Sequence, residues 1–238
     1  PASALSISAA ITSAIDCYGG SATVDVTASG GTPPYSGTGT FSVAAGTHTF
    51  TVTDANNCTE STTLTITQPS QALTATAAVT SQIDCYGGTG TVQVSASGGT
   101  PPYSGTGTFN KTAGTYTFTV TDANNCTATA SATLTQPASA MSISAAVTST
   151  IDCYGGTATV DVTASGGTPP YSGTGTFQVA AGTHTFTVSD VNNCTESTTL
   201  TITQPSQALT ATAAVTSQID CYGGTGTVQV SASGGTPP

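Results

Sequence analysis

The residues best suited to chemistry in this sequence are its cysteines, which recur at two fixed places. Each full repeat of the sequence carries two, always with the same separation. Because no C-x-x-C motif accompanies them, such a pair is typical of a disulfide in an oxidising compartment rather than of a zinc site. We predict one disulfide inside each repeat, stabilising it by roughly 4 kcal/mol: Cys17 with Cys58, Cys85 with Cys126, and Cys153 with Cys194. Cys221 has no partner in this scheme.

Carboxylates and amides recur beside both cysteines and could bind calcium through oxygen ligands. Asp16 and Asp54 return in every full repeat, and the predicted disulfide would bring them together with two asparagines. Calcium takes six to eight oxygens, so this set is sparse. We expect these side chains to cap turns, with a calcium site as the alternative, and we expect no other cofactor. The set comprises Asp16, Asp54, Asn56, Asn57, Asp84, Asp122, Asp152 and Asp190.

The histidines do not have the pattern of catalytic residues. His48 and His184 occupy the same repeat position, which is Tyr116 in the second repeat. A general base or metal ligand could not be replaced by tyrosine and keep its role, so an aromatic filling a sheet face is the better interpretation. No nucleophile triad or phosphate-binding loop appears, and Lys111 is the only basic residue available to stabilise an anionic transition state. We predict that the protein is not an enzyme.

A tandem repeat must position these groups. The stretch Ile15–Gly20, Ile-Asp-Cys-Tyr-Gly-Gly, returns at Ile83, Ile151 and Ile219, at a constant interval. An internal repeat of this kind defines the folding unit. We predict three domains at 1–68, 69–136 and 137–204, followed by a partial repeat at 205–238 whose sequence is that of 69–102. The chain begins at a proline and stops between blocks, and we expect it to be part of a longer array.

Within one repeat, apolar residues alternate with Thr and Ser, which is typical of half-buried strands. Gly30, Gly31, Pro33 and Pro34 are predicted to shape a turn, while Phe50 and Val52 lie in the clearest strand and should pack the core. No stretch has helical periodicity, and we count about six or seven short strands. The pattern predicts an all-β tandem array of small immunoglobulin-like β-sandwich domains. Junctions almost without linkers, at Gln68-Pro69 and its equivalents, predict a stiff, extended rod.

The composition of the chain narrows the classes of partner that it can bind. The net charge is −10, with one basic and eleven acidic residues. Phosphate backbones and anionic membranes both require Lys and Arg, so we expect no nucleic acid and no direct membrane insertion. The expected partners are neighbouring repeats of the same chain, and beyond them like filaments or surface polysaccharide.

The ordered blocks of each repeat resemble a known family. Asp-Cys-Tyr-Gly-Gly at 16–20, Gly-Gly-Thr-Pro-Pro-Tyr at 30–35 and the run from Ala45 to Thr59 are similar to the SprB-type repeat of very large surface adhesins of gliding and related bacteria. The resemblance implies a secreted, bacterial cell-surface adhesin or extracellular filament built from many β-domains.

The sequence therefore predicts a structural, non-enzymatic rod segment of such an adhesin. One alternative is a self-assembling fibre subunit whose partial repeat is completed by a neighbouring chain; pairing of Cys221 with a second molecule would favour it. Another is a carbohydrate- or ice-binding module presenting its Thr rows. Sheet twist spoils a flat hydroxyl array, and the sequence has no Trp to form a sugar platform.

Overall fold

The computed structural model describes residues 3–236, and within that range it contains β-strands and no helix. The first repeat forms β1 (Ser6–Ser13), β2 (Ala22–Ser29), β3 (Gly39–Val43), β4 (Gly46–Thr53) and β5 (Thr59–Ile66). The second forms β6 (Thr74–Ser81), β7 (Gly90–Ser97), β8 (Gly107–Lys111), β9 (Gly114–Thr121) and β10 (Thr127–Leu134). The third forms β11 (Ser142–Ser149), β12 (Ala158–Ser165), β13 (Gly175–Val179), β14 (Gly182–Ser189) and β15 (Thr195–Ile202), and β16 (Thr210–Ser217) and β17 (Thr227–Ser233) follow.

Each full repeat builds the same two small antiparallel sheets. In the first repeat these are a three-stranded sheet, β1-β2-β3, and a two-stranded sheet, β4-β5. The strands recur with the period of the sequence repeat, and the all-β class is confirmed. The prediction of six or seven strands per repeat is wrong, because each full repeat has five. The immunoglobulin-like topology and the domain boundaries at residues 68, 136 and 204 stay predictions.

The core of a repeat is built from alternate residues of its strands. In β2, Ala22, Val24 and Val26 are buried, while the residues between them are more exposed. Phe50 and Val52 of β4 are buried with them, as predicted. Leu5, just before β1, and Ile7 and Ala9 within it pack on this cluster. Burial therefore alternates along the strand with a period of two residues, which is the period of the apolar residues in the sequence.

A tight turn of Gly and Pro residues follows β2. Gly30 and Gly31 both have positive φ, 71° and 58°, a region that glycine enters without penalty. The Tyr35 hydroxyl donates to the Gly30 carbonyl at 2.6 Å, and the Pro33-Pro34 peptide bond is cis. The predicted role of these Gly and Pro residues in the turn is confirmed.

The chain divides into two compact units that do not coincide with the sequence repeats. The first comprises Pro1–Gln82 and Thr89–Thr135, and the second comprises Ile83–Gly88 and Gln136–Pro238. The segment Ile83–Gly88, one copy of the recurring turn motif, thus belongs with the following repeat. In residues 3–236 no helix is long and apolar enough to cross a membrane.

Candidate functional site: the hairpin–turn junction

The loop between the last two strands of a repeat is shaped by one aspartate. In the second repeat, Asp122 accepts hydrogen bonds through Oδ1 from the backbone N–H of Asn124 and Cys126, both at 2.9 Å. Its Oδ2 accepts from the N–H of Thr100 at 2.9 Å, and Asn125 has a φ of 64°. A short Asx side chain holding its own loop in this way tolerates a left-handed residue. We call residues 54–58, 122–126 and 190–194 the Asp-Asn-Cys hairpins.

These aspartates stay ionised in the fold. The Thr100 N–H lowers the pKa of Asp122, burial raises it, and the Cys126 and Asn124 N–H groups lower it further, so the net pKa lies below its ordinary value. For Asp54, burial raises the pKa most strongly among single causes, but backbone donors together outweigh it and the pKa is again lowered. Asp190 behaves in the same way. A carboxylate that accepts several backbone N–H bonds is held in its charged form.

The other cysteine of each repeat lies in a tight turn between the first two strands. In the first repeat the Gly20 N–H donates to the Cys17 carbonyl at 3.0 Å, and Gly19 has a φ of 80°. The Gly19 N–H donates to Gln68 Oε1 at 2.8 Å, so the end of the repeat holds the turn. Gln136 and Gln204 accept from Gly87 and Gly155 in the same way. We call residues 15–20, 83–88, 151–156 and 219–224 the Cys turns.

A Cys turn of one repeat bonds to the Asp-Asn-Cys hairpin of the next. Cys17 is disulfide-bonded to Cys126, with the Cα atoms 5.7 Å apart. Beside the bond, Asn124 Nδ2 donates to the Asp16 carbonyl at 2.9 Å. The second junction has the same form: Cys85 is bonded to Cys194, and Asn192 Nδ2 donates to the Asp84 carbonyl at 3.1 Å. Both disulfides join residues 109 apart in sequence.

The predicted pairings Cys17–Cys58, Cys85–Cys126 and Cys153–Cys194 are therefore wrong. The Cys turn follows β1, and three strands, β2 to β4, lie between it and the hairpin. Three strands leave the two loops at opposite ends of the repeat, and the Thr32 N–H to Asp54 Oδ2 bond at 3.0 Å places the hairpin at the far end of β2. An eight-residue strand spans about 25 Å, whereas a disulfide needs Cα atoms within about 7 Å. Cys58, Cys153 and Cys221 are free and exposed.

Within one repeat, the residues proposed for calcium do not come together, and the calcium site stays a prediction. Asp16 belongs to the Cys turn and Asp54 to the hairpin, so the same three strands separate them. Asp54, Asp122 and Asp190 each cap their own loop, and Asn56 Nδ2 donates to Thr32 Oγ1 at 3.0 Å. Within the part of the chain that the structure describes, no cluster of three or more His, Cys, Asp or Glu residues could hold a metal ion. The turn-capping role is the one the contacts support for the three hairpin aspartates.

The histidine position has a structural contact in every repeat. His48 Nε2 lies 2.8 Å from the Ala44 carbonyl oxygen, and His184 Nε2 lies 2.8 Å from that of Ala180. Tyr116 makes the corresponding contact with Thr112, hydroxyl to hydroxyl, at 3.0 Å. All three rings are half-buried. The position therefore takes an aromatic ring with one polar atom that reaches the preceding loop.

Residues 77–104 match the model described as SprB repeat. This SprB segment runs from within β6 through the Cys85 turn and β7 to the turn at Gly98–Pro102. It contains one half of a junction, the Cys turn, and its sequence up to residue 102 returns unchanged at 213–238. The resemblance to the SprB-type repeat is confirmed over this segment. No curated protein matches the chain.

Proposed function

We propose that this chain is a structural, non-enzymatic segment of a large extracellular surface adhesin or filament. In this role it acts as an extended rod whose consecutive repeats are covalently joined. The rod would present Thr-rich sheet faces to solvent, and its first partners would be the neighbouring repeats of the same chain.

The observation that carries the proposal is the placement of the disulfides. A repeat stapled internally would be stable by itself but free to move against its neighbours. Here each bond instead joins a Cys turn to the hairpin of the following repeat. A side chain amide also bonds across each junction, from Asn124 and from Asn192. Covalent ties between successive repeats suit a protein that must transmit tension along its length.

Location and chemistry support the same role. Disulfides persist outside the cytoplasm and are rare inside it, and the SprB segment is of a kind found in cell-surface proteins. His48 and His184 contact backbone carbonyls, and the titratable groups that do shift, Asp54, Asp122 and Asp190, are engaged in loop capping. A net charge of −10 disfavours nucleic acid as a partner.

Small-angle X-ray scattering of the purified, oxidised chain tests the rod. A compact globule of 238 residues would have a radius of gyration of about 18 Å. A rod of more than ~100 Å, as strand lengths predict for three successive repeats, would give about 30 Å. The matched control is the Cys17→Ser, Cys85→Ser double variant, which should show a broader distribution of lengths. A value near that of the globule would contradict the rod.

Surface exposure needs a separate measurement. Antibodies raised against residues 3–236 should label intact cells that make the protein, and protease added outside those cells should remove the epitope. Labelling only after permeabilisation would contradict the extracellular role without affecting the rod.

A further inference from the structure

The second junction carries a small cleft beside its disulfide. The cleft has a volume of about 210 Å³ and lies within the second compact unit. Its walls come from three segments: the Cys turn of the second repeat, the residues before β11, and the end of the hairpin where β15 begins. We call this cavity the junction cleft. Its lining includes Cys85, Tyr86, Met141, Cys194, Thr195 and Glu196.

The disulfide brings an aromatic ring and a carboxylate to this cleft. Tyr86 directly follows Cys85, and Glu196 is the second residue after Cys194. The two cysteines are bonded, with their Cα atoms 5.7 Å apart, so residues of different repeats line one cavity. The junction cleft is therefore a product of the covalent joining of two repeats.

Tyr86 keeps half of its surface open to solvent. It is 50% exposed, and Tyr18 at the first junction is 52% exposed. A full repeat precedes the one that carries Tyr86, and two full repeats follow the one that carries Tyr18. A half-exposed tyrosine is therefore a property of the junction and does not depend on which repeats flank it. Such a ring, apolar with one polar atom, is well suited to contact a ligand.

The carboxylate of Glu196 is exposed and has no lysine or arginine in its own unit to pair with. The segments of the second compact unit, 83–88 and 136–238, contain neither residue. An ammonium group is attracted both by the face of an aromatic ring and by a carboxylate. The chain already contains one contact of the first kind, since Lys111 Nζ lies 5.4 Å from the centroid of the Tyr116 ring. The junction cleft offers both groups to a cation.

We propose that the junction cleft binds a lysine side chain of a partner protein. The ammonium group lies over the Tyr86 ring and pairs with the Glu196 carboxylate, and the methylene stem packs on Met141. Drug-sized ligands occupy about 300–1,000 Å³, so a cleft of about 210 Å³ takes a single side chain. Lysine suits it because its long stem holds the charge away from the backbone, which lets the main chain of the partner stay outside.

The lysine comes from a different protein and not from a second copy of this chain. Lys111 is the only lysine in the sequence, and it packs on Tyr116 of its own repeat. A net charge of −10 opposes the close approach of a second copy and favours a partner with a basic surface. The inference goes beyond the proposed structural role and does not depend on the rod shape.

The test uses Met141 as a reporter, because it is the only methionine in the sequence. When the oxidised chain is isotope-labelled at the methionine methyl group, its NMR spectrum has one such signal, and that signal comes from the cleft. The probe is Nα-acetyl-lysine amide, and the control compound is the same molecule with its side chain amine acetylated and therefore neutral. We expect the lysine compound to shift the Met141 signal with an affinity about tenfold higher than that of the neutral compound.

Three variants separate the cleft from general electrostatic attraction. Glu196→Gln and Tyr86→Leu should each weaken binding of the lysine compound about twofold to fivefold and leave binding of the neutral compound unchanged. Asp161→Asn removes one charge from the same unit, on β12 and outside the cleft lining, and should leave both affinities unchanged because distant exposed charges are screened by salt. Since Tyr86 and Glu196 are exposed, replacing either should leave the Tm unchanged.

The first junction supplies a matched site without the carboxylate. Its equivalent positions are Tyr18, Leu73, Thr127 and Ala128. The double variant Leu73→Met, Met141→Leu moves the reporter to this junction. Adding Ala128→Glu to it should raise the affinity of the lysine compound about twofold to fivefold and leave that of the neutral compound unchanged.

Three results would overturn the proposal. The first is a Met141 signal that the lysine compound does not shift, and the second is equal affinity for the two compounds. The third is a selectivity for the lysine compound that neither Glu196→Gln nor Tyr86→Leu reduces. If methyl glucoside shifts the signal where the lysine compound does not, the cleft binds a neutral sugar and not a cation.

Discussion

The sheets β6-β7 and β16-β17 have the same sequence but very different surroundings. Their pairing is identical: Thr74 lies opposite Ser97 and Thr210 opposite Ser233, and both sheets shift register near the end of the first strand. Yet Val92 and Val94 are 0% and 1% exposed, whereas Val228 and Val230 of the second sheet are 57% and 70% exposed. Two additions make the difference: β8 pairs with β7, and the hairpin β9-β10 packs on β6 and β7, whereas β16-β17 has neither in the described residues.

This contrast separates what the strands determine locally from what the fold adds. Register and bulge follow from the two strands and the Cys turn between them, since they are unchanged when the covering hairpin is absent. Burial follows from the strands added to this pair, β8 beside β7 and the hairpin β9-β10. Covering a valine fully contributes about 1.5–3 kcal/mol relative to leaving it exposed, so the stability of a repeat resides largely in the contact between its two sheets.

The largest effect should come from a charge in the covered sheet. Val94→Asp would bury an unpaired carboxylate and should destabilise the first compact unit by about 5 kcal/mol. The matched variant Val230→Asp places the same group where the side chain is exposed, and should change stability by less than about 0.5 kcal/mol. Chemical denaturation of both variants measures the difference. Equal losses would show that the two sheets are not in different environments.

Removing the aromatic ring of Phe118, which belongs to the hairpin that covers β7, should have the second largest effect on stability. Phe118 of β9 is buried, and its ring centroid lies 5.1 Å from that of Phe109. Phe118→Ala should cost about 3–4 kcal/mol through lost burial and the resulting cavity. Hydrogen exchange should show that β7 amides lose protection while β17 amides do not change. Unchanged exchange in β7 would mean that the hairpin does not stabilise the sheet beneath it.

Asp122, whose carboxylate caps the hairpin loop, should make the stability of the fold depend on pH. Because the pKa of Asp122 is lower in the fold than in the unfolded chain, its contribution is complete above the ordinary aspartate range and is lost as the pH falls through the folded value. Asp122→Asn should therefore lower the Tm at pH 7 and have a smaller effect at pH 2. Thermal scans across this range test the sign, and a deficit that grows towards acid would contradict it.

Removing an exposed threonine hydroxyl should have the smallest effect on stability, and the effect should be the same in both sheets. Thr76 Oγ1 lies 2.6 Å from Ser95 Oγ, and Thr212 Oγ1 lies 2.7 Å from Ser231 Oγ. Both pairs are exposed, so Thr76→Ala and Thr212→Ala should each cost only a few tenths of a kcal/mol. A large loss at Thr76 alone would mean that the covering hairpin also acts on the outer face.

The strands, the turn at Gly30–Pro34 and the core residues Phe50 and Val52 could be predicted because they depend on neighbours within a few residues. The disulfide partners could not be predicted in this way. Two cysteines keep a constant spacing in sequence whether they lie at the same end of the domain or at opposite ends, so the spacing does not show which cysteines are close in space. Counting three strands between Cys17 and Cys58 would have excluded their pairing, but the sequence suggested more strands than the five that form. The role of Gln68 was also missed, since an isolated glutamine before a proline carries no signal of the N–H group that its side chain oxygen accepts from.

The order of the cysteines along the chain has a mechanical consequence. Cys85 lies between the partners Cys17 and Cys126, and Cys126 lies between the partners Cys85 and Cys194, so the two bonds cross in sequence. If the oxidised chain were held at residues 3 and 236 and pulled until every strand had separated, the taut covalent path would follow 3–17, cross to Cys126, run backwards to Cys85, and cross again to Cys194.

That path uses fewer than half of the residues, and 18–84 and 127–193 would be slack side loops. The greatest length of the molecule is then set by its covalent connectivity and not by how firmly each repeat is folded. Losing a repeat to unfolding would lengthen the oxidised molecule far less than it would lengthen the reduced one.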